Sequence, residues 1–170
     1  MASFAFFRVA PILTPRGYDL VVMSEKLTIL LADDNADDAL LLQCACSEAG
    51  LDYGLMVVQD GAEVIRYLQG EERYADRAAY PMPALLLLDL NLPRMDGMAV
   101  LRWVRQEPSF QRLPVIIVTG SLDERLADRA HALGANGLLV KPVAYHDLVE
   151  AIRQEGKHWA HEAELAGLPH

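Results

Sequence analysis

The chain has 170 residues, 52% of them apolar and 23% charged, and carries a net charge of −9. That length suits one domain with a sizeable core, and the apolar fraction excludes a disordered chain. The acidic balance, with no run of Lys and Arg to form a basic face, argues against nucleic-acid binding.

In chain order, the first feature is Phe4-Ala5-Phe6-Phe7, broken by Arg8 and Pro11. It is too short to span a membrane and lacks a signal-peptide layout, so a cytoplasmic protein is expected. Met23 precedes Ser24-Glu25-Lys26, where regular patterning begins. Residues 1–24 are therefore expected to lie outside the domain, as a loose extension or the product of an upstream start. Apolar runs follow at 27–32, 53–58, 84–88, 114–118 and 138–140. None alternates apolar with polar, which suits strands buried on both faces of a parallel sheet.

Helical spacing fills the intervals. Cys44 and Cys46 fall in the first of them, roughly 200° apart on a helix, so they can share neither a metal nor a disulfide there. They read as small apolar fillers in a reducing compartment. Val64, Ile65 and Leu68 share a face, as do Leu148, Val149 and Ile152. Gly50, Gly70 and Gly134 each follow a helical segment, where a left-handed residue is wanted. Asp60 and Ser121 are expected N-caps. Residues 70–83 form a long connection with two tyrosines, readable as a contact surface or as packing over the sheet edge.

Five strand–helix alternations predict one α/β domain at 25–155, a doubly wound five-stranded parallel sheet, with 156–170 a helical continuation or tail. Ligands of such sheets bind at the carboxyl ends of the strands. Those ends read Asp33-Asp34, Asp89, Thr119 and Lys141-Pro142. Each has a structural explanation: Asp33-Asp34-Asn35 as a capping turn, Asp89 closing a strand, Thr119 as a cap, Lys141 solvated. Four of five strands ending in such groups at one rim points instead to a site. Clustered carboxylates repel one another and would repel a phosphate. A hard divalent cation such as magnesium removes both problems and lets a carboxylate attack phosphorus, with Lys141 and Thr119 available to the phosphoryl oxygens.

These residues lie in four motifs: Leu31-Ala32-Asp33-Asp34-Asn35, Leu87-Leu88-Asp89-Leu90-Asn91-Leu92-Pro93-Arg94-Met95-Asp96-Gly97, Val118-Thr119-Gly120-Ser121, and Gly134-Ala135-Asn136-Gly137-Leu138-Leu139-Val140-Lys141-Pro142. Together they make the chain resemble the receiver domain of bacterial two-component response regulators, a flavodoxin-like fold, over residues 27–153. The resemblance implies that Asp89 accepts the phosphoryl group, in a protein that catalyses only its own phosphorylation and dephosphorylation. Asp34 and Asp89 would bind Mg2+ through their side chains, Asn91 through its backbone carbonyl, and Asp33 nearby. Lys141 would pair with Asp89 and then with its phosphoryl group, Thr119 would move onto that group, and the Lys141–Pro142 bond would be cis. Pro93 and Gly97 would shape the loop after the third strand.

Within the family, the 74–83 connection, the Leu88–Gly97 motif and Leu101-Arg102-Trp103-Val104-Arg105 look most like single-domain regulators that partner phytochrome-type histidine kinases. A sensor histidine kinase, a bacterial phytochrome among them, is the implied partner, and a homodimer the implied assembly, with Trp159 in the tail as a contributor. One position departs from the family: Leu138 stands where an aromatic ring usually swings inward. Readout is then expected through loop and helix shifts near residues 121–133. No basic recognition helix or second catalytic motif is legible, so the expected output is a protein contact or removal of phosphoryl groups from the kinase.

The rival readings are an aspartyl-phosphate-forming phosphohydrolase, a non-phosphorylated interaction scaffold and a nucleotide-binding flavodoxin-like protein. The first wants a second acid where Asn91 stands, the second would tolerate loss of the acidic set, and the third wants a glycine-rich loop after the first strand. His131, His146, His158 and His161 read as incidental surface residues.

Overall fold

The computed structural model describes residues 9–14, 17–22, 27–48, 50, 53–120, 123–141, 146 and 149. Strands β1 (Val9–Thr14) and β2 (Gly17–Val22) pair antiparallel in a two-stranded sheet of their own, within the expected N-terminal extension. Then come β3 (Leu27–Ala32), α1 (Ala36–Glu48), β4 (Tyr53–Val58), α2 (Gly61–Gln69), β5 (Leu85–Asp89), α3 (Gly97–Gln106), β6 (Val115–Thr119), α4 (Glu124–Ala132) and β7 (Gly137–Val140). The five-stranded sheet has the order β4-β3-β5-β6-β7, parallel throughout, as expected.

The continuous apolar runs explain this sheet, because each strand supplies side chains to both faces. Ile29, Leu31, Leu85, Leu87 and Ile116 pack with Ala39, Leu42, Ala45 and Cys46 of α1, and with Val149. Leu30, Leu86, Leu88, Val115 and Ile117 pack on the other face with Val64 and Leu68 of α2 and Val100, Leu101 and Val104 of α3. The period of two is present, but the central strands are buried on both faces, so their polarity does not alternate; the edge strands β4 and β7, expected to be buried likewise, are only half-buried, because each has a neighbour on one side alone. Burial pushes the Cys46 thiol up to about 11, whereas Cys44, facing away as the spacing predicts, is exposed.

The punctuation is largely where it was expected. Gly50, Gly70 and Gly134 have φ of 76°, 71° and 92°, and Asp60 caps α2 by accepting from the Glu63 N–H at 2.7 Å. Two details differ. β5 and β6 each start one residue later than their apolar runs and β7 one residue earlier, while Asp89 and Thr119 end β5 and β6 as expected. The cap of α4 is Asp123, whose side chain accepts from the Arg125 N–H at 3.0 Å, rather than Ser121, which lies outside the described residues.

The long connection packs inward. It holds a 3₁₀ turn at Glu72–Ala75 and buries Tyr74 against Tyr67 and Tyr80, with ring centroids 4.9 and 5.0 Å away. The Tyr67 hydroxyl donates to the Pro81 carbonyl at 2.8 Å. Arg77 donates to the carbonyls of Tyr67 and Leu68 at 2.9 and 2.8 Å, placing a cation on the carboxyl end of α2. Glu63 ties the segment down by accepting from the Tyr74 hydroxyl at 2.6 Å, the Gln59 N–H at 3.0 Å, and Arg73.

Burial alone would raise the Glu63 carboxyl, but those hydrogen bonds and the Arg73 charge outweigh it and hold the group below the ordinary carboxylate range. A depressed carboxyl stabilises the fold above its unfolded value and ceases to as pH falls through its folded value. Glu63→Gln should therefore cost about 1–2 kcal/mol at neutral pH. In urea titrations the gap from the native chain should close as the buffer is taken below the carboxylate range. A gap independent of pH would show that the charge of Glu63 does not matter.

Candidate functional site

The strand order reverses between β4-β3 and β5-β6-β7, and in such sheets the crevice beyond the strand ends at the switch point is where ligands bind. Register fixes what lines it. Ala32 pairs with both Val58 and Leu88, so the next residues, Asp33 and Asp89, stand side by side at the rim. Thr119 pairs with Val140, which puts Lys141 at the same height. Asp33, Asp89 and Thr119 are 2%, 3% and 1% exposed, whereas Asp34 is exposed.

The turn chemistry and the site chemistry use the same atoms. Asp33 Oδ1 accepts from the Asn35 N–H at 2.9 Å, and Asn35 Oδ1 accepts from the Asp37 N–H at 3.0 Å, which leads the chain into α1. Asp89 Oδ1 likewise accepts from the Asn91 N–H at 2.9 Å. Beyond it the chain doubles back so tightly that a Cβ on Gly97 would lie 2.2 Å from the Asp89 carbonyl oxygen. Gly61 is equally confined, since a Cβ there would lie 2.2 Å from the Met95 carbonyl oxygen. Arg94 adopts φ of 63° and pairs with Asp60 Oδ2 at 2.9 Å, strapping the β5–α3 loop to the start of α2. These contacts hold the backbone on which Asp89 is mounted.

Asp33, Asp34 and Asp89 present carboxylate oxygens that all lie within 4.8 Å of one another. Lys141 enters this acidic group from the end of β7, with Nζ 2.6 Å from Asp89 Oδ2 and 3.0 Å from Asp33 Oδ2. A third partner, Asp38 of α1, lies 2.9 Å from Nζ through its Oδ2. Asp38 was not anticipated. In the sequence, Asp37-Asp38 is simply acid in the first turn of a helix, a common and favourable placement.

Electrostatics follow from burial and pairing. Burial raises the Asp33 carboxyl; the Asn35 N–H and Lys141 pull it down, but the net displacement is upward, helped by the neighbouring Asp89 charge. Burial would lower the Lys141 ammonium, yet the hydrogen bonds to Asp89, Asp38 and Asp33 hold it well above the usual lysine range. Lys141 is thus a fixed cation at neutral pH. An all-oxygen set of three carboxylates beside it has the character of a site for a hard divalent cation.

The family model of the response regulator receiver domain matches residues 29–153. This chain belongs to that family. Response regulator Rcp1 of Synechocystis sp. is 33% identical to this receiver over 131 residues, covering 77% of this chain and 87% of Rcp1. Among solved structures, response regulator RPA3017, from red light signaling of R. palustris, is similar at a TM-score of 0.75 and 39% identity, covering 78% of this chain and 93% of that one. The phosphorylated cyanobacterial phytochrome response regulator RcpA is similar at 0.72 and 30%, covering 80% and 95%. The Mn2+-bound form of Rcp1 is similar at 0.69 and 32%, covering 78% and 94%.

Leu138 of this receiver sits in β7 opposite Ile117, half-buried against the cluster on which Leu126 and Leu133 also pack. The Lys141–Pro142 bond, Trp159, His158 and His161 lie outside the described residues, while His131 and His146 are exposed. No described helix is long and apolar enough to cross a membrane.

The pairing of Lys141 has a measurable consequence. Lys141→Met leaves the Asp33 and Asp89 carboxylates buried without their cation. It should cost about 2–3 kcal/mol at neutral pH, less than a fully buried pair because Lys141 is partly exposed. Adding a divalent cation should recover part of that loss, because it binds the folded state. Melting curves of the variant that ignore added Mg2+ or Mn2+ would exclude a cation site at these carboxylates.

Proposed function

We propose that this receiver is a response regulator that takes a phosphoryl group onto Asp89 from the phosphohistidine of a sensor histidine kinase, in a Mg2+-dependent reaction. The observation that carries the reading is Asp89 itself. Its carboxylate is buried at the switch point, held through Oδ1 by the Asn91 N–H and through Oδ2 by Lys141, 2.6 Å away, in a three-carboxylate group. The residues present fit a hard cation, with Asp33, Asp34 and Asp89 as oxygen donors and the Asn91 carbonyl completing the set. When bound, Mg2+ supplies positive charge for the phosphoryl oxygens.

This chain's own residues do the rest. A carboxylate oxygen of Asp89 forms the new bond to phosphorus while the bond from phosphorus to the donor imidazole nitrogen breaks; that nitrogen keeps the electron pair, and the ring, already protonated on its other nitrogen, leaves as neutral imidazole. No general base is required, because the nucleophile is already ionised. Lys141 passes its pairing from the Asp89 carboxylate to the phosphoryl oxygens, and the Thr119 hydroxyl donates to one of them. Burial of Asp89 and Thr119 limits water at the acyl phosphate.

The same reading makes the protein a cytoplasmic signalling module, a receiver domain at 25–155 that catalyses only its own phosphorylation and dephosphorylation and acts through protein contacts, as a homodimer, without nucleic acid or membrane. RcpA and RPA3017, a phytochrome regulator and a red-light signalling regulator by description, support a phytochrome-type kinase as partner. The net charge of −9 supports the absence of a nucleic-acid role.

Incubation with phosphoramidate and Mg2+, followed by intact-mass measurement, should add one phosphoryl group to the native chain and none to Asp89→Asn. Addition to Asp89→Asn at the native level would overturn the assignment, as would failure of EDTA to suppress the reaction.

A further inference from the structure

Lys141 has more partners than its proposed task requires. An ammonium carries three N–H donors and no acceptor. Here three carboxylate oxygens surround it, at 2.6 Å on Asp89, 2.9 Å on Asp38 and 3.0 Å on Asp33. Two of these partners have other work. Asp33 and Asp89 belong to the group that can hold a divalent cation, and Asp89 is also the proposed acceptor. A cation drawing on those oxygens competes with Lys141 for them, and a phosphoryl group on Asp89 consumes one oxygen outright. Asp38 stands apart. It projects from the first turn of α1, its side chain is 33% exposed, and it is not among the three gathered carboxylates. It is the partner that Lys141 can keep in every state of the site.

Resting on the reading of Asp89 above, we propose that Asp38 is a positioning residue for Lys141. It anchors one N–H so that the ammonium stays in the crevice when the cation and the phosphoryl group displace its other two partners. A lysine has a long flexible stem, and this one is 23% exposed, so loss of its anchors leaves it free to turn towards solvent. Asp38 fixes the reach of that stem from the α1 side, which leaves two donors directed at the place where the phosphoryl oxygens arrive.

The test measures initial phosphorylation rates with phosphoramidate at saturating Mg2+ for the native chain, Asp38→Asn, Asp38→Ala and Asp37→Asn. Asp37 is the exposed neighbouring acid, so its variant reports the loss of one charge without loss of the anchor. Both Asp38 variants should slow phosphorylation by about three- to ten-fold, with Asp37→Asn near native. Calorimetric Mg2+ affinity and the melting temperature should change little. In a Lys141→Met background the Asp38 effect should vanish, since the anchor then has nothing to hold. Native rates in Asp38→Ala, or an undiminished effect in the Lys141→Met background, would overturn the proposal.

Failure of the Asp89 reading would show separately, as no phosphoryl group on the native chain. The anchor is then read by solvent exchange of the Lys141 ammonium protons with Mg2+ bound, which should be faster in Asp38→Asn. Unchanged exchange would likewise overturn it.

Discussion

Everything at the carboxyl rim depends on how one ammonium balances several carboxylates. Asp33, Asp34 and Asp89 bring their oxygens within 4.8 Å of one another. At an effective dielectric of about 20, two like charges that close repel by about 3–4 kcal/mol. A fold that buries two such groups needs a compensating charge, and Lys141 supplies it from a strand on the far side of the sheet. Among the described residues that cation is shared by three carboxylates, so the group keeps a net negative charge.

The second constraint is mechanical. The loop carrying Asn91 after Asp89 is closed on itself, with Gly97 against the Asp89 carbonyl and Gly61 against that of Met95. Any side chain at either glycine would collide with backbone, which cannot step aside as a flexible side chain can. Arg94 accepts a left-handed conformation that costs a non-glycine residue of order 1 kcal/mol. Its ion pair with the buried Asp60 offsets that cost and ties the loop to α2. The result is a carboxylate mounted on a braced support while Asp34 and Asn91 remain open to solvent.

Leu138 lies across from Ile117, two residues before the Thr119–Val140 pair. Like Leu126 within α4 and Leu133 at its end, it packs against the apolar cluster on that face of the sheet. Aliphatic packing thus joins β7 and α4 to one side of the sheet. Such packing transmits displacement by shape alone, without a hydroxyl that changes hydrogen-bond partners.

How much of this was legible follows from what each signal encodes. The strands showed in the sequence because double-sided burial requires uninterrupted apolar runs, and the parallel order followed from the intervening helices. Asp33, Asp34, Asp89, Thr119 and Lys141 were legible because each stands at a strand end, where residue type and position report the same thing. The resemblance to receiver domains, carried by those motifs, agrees with the family match over 29–153. The inward packing of Tyr74 was not legible, since it depends on Glu63 and Tyr67 of a helix that precedes it in the chain. The cap at Asp123 was missed because Ser121 and Asp123 are both favoured capping residues, and spacing in the sequence does not choose between them. The sequence by itself thus determined the sheet, the rim and the chemical nature of the pocket, through patterns local to each strand. Only the tertiary structure decided that Asp38, 103 residues from Lys141, completes the ring of carboxylates around it. Which face of the first turn of α1 meets the end of β7 is set by how helix and strand pack, and no local pattern carries that information.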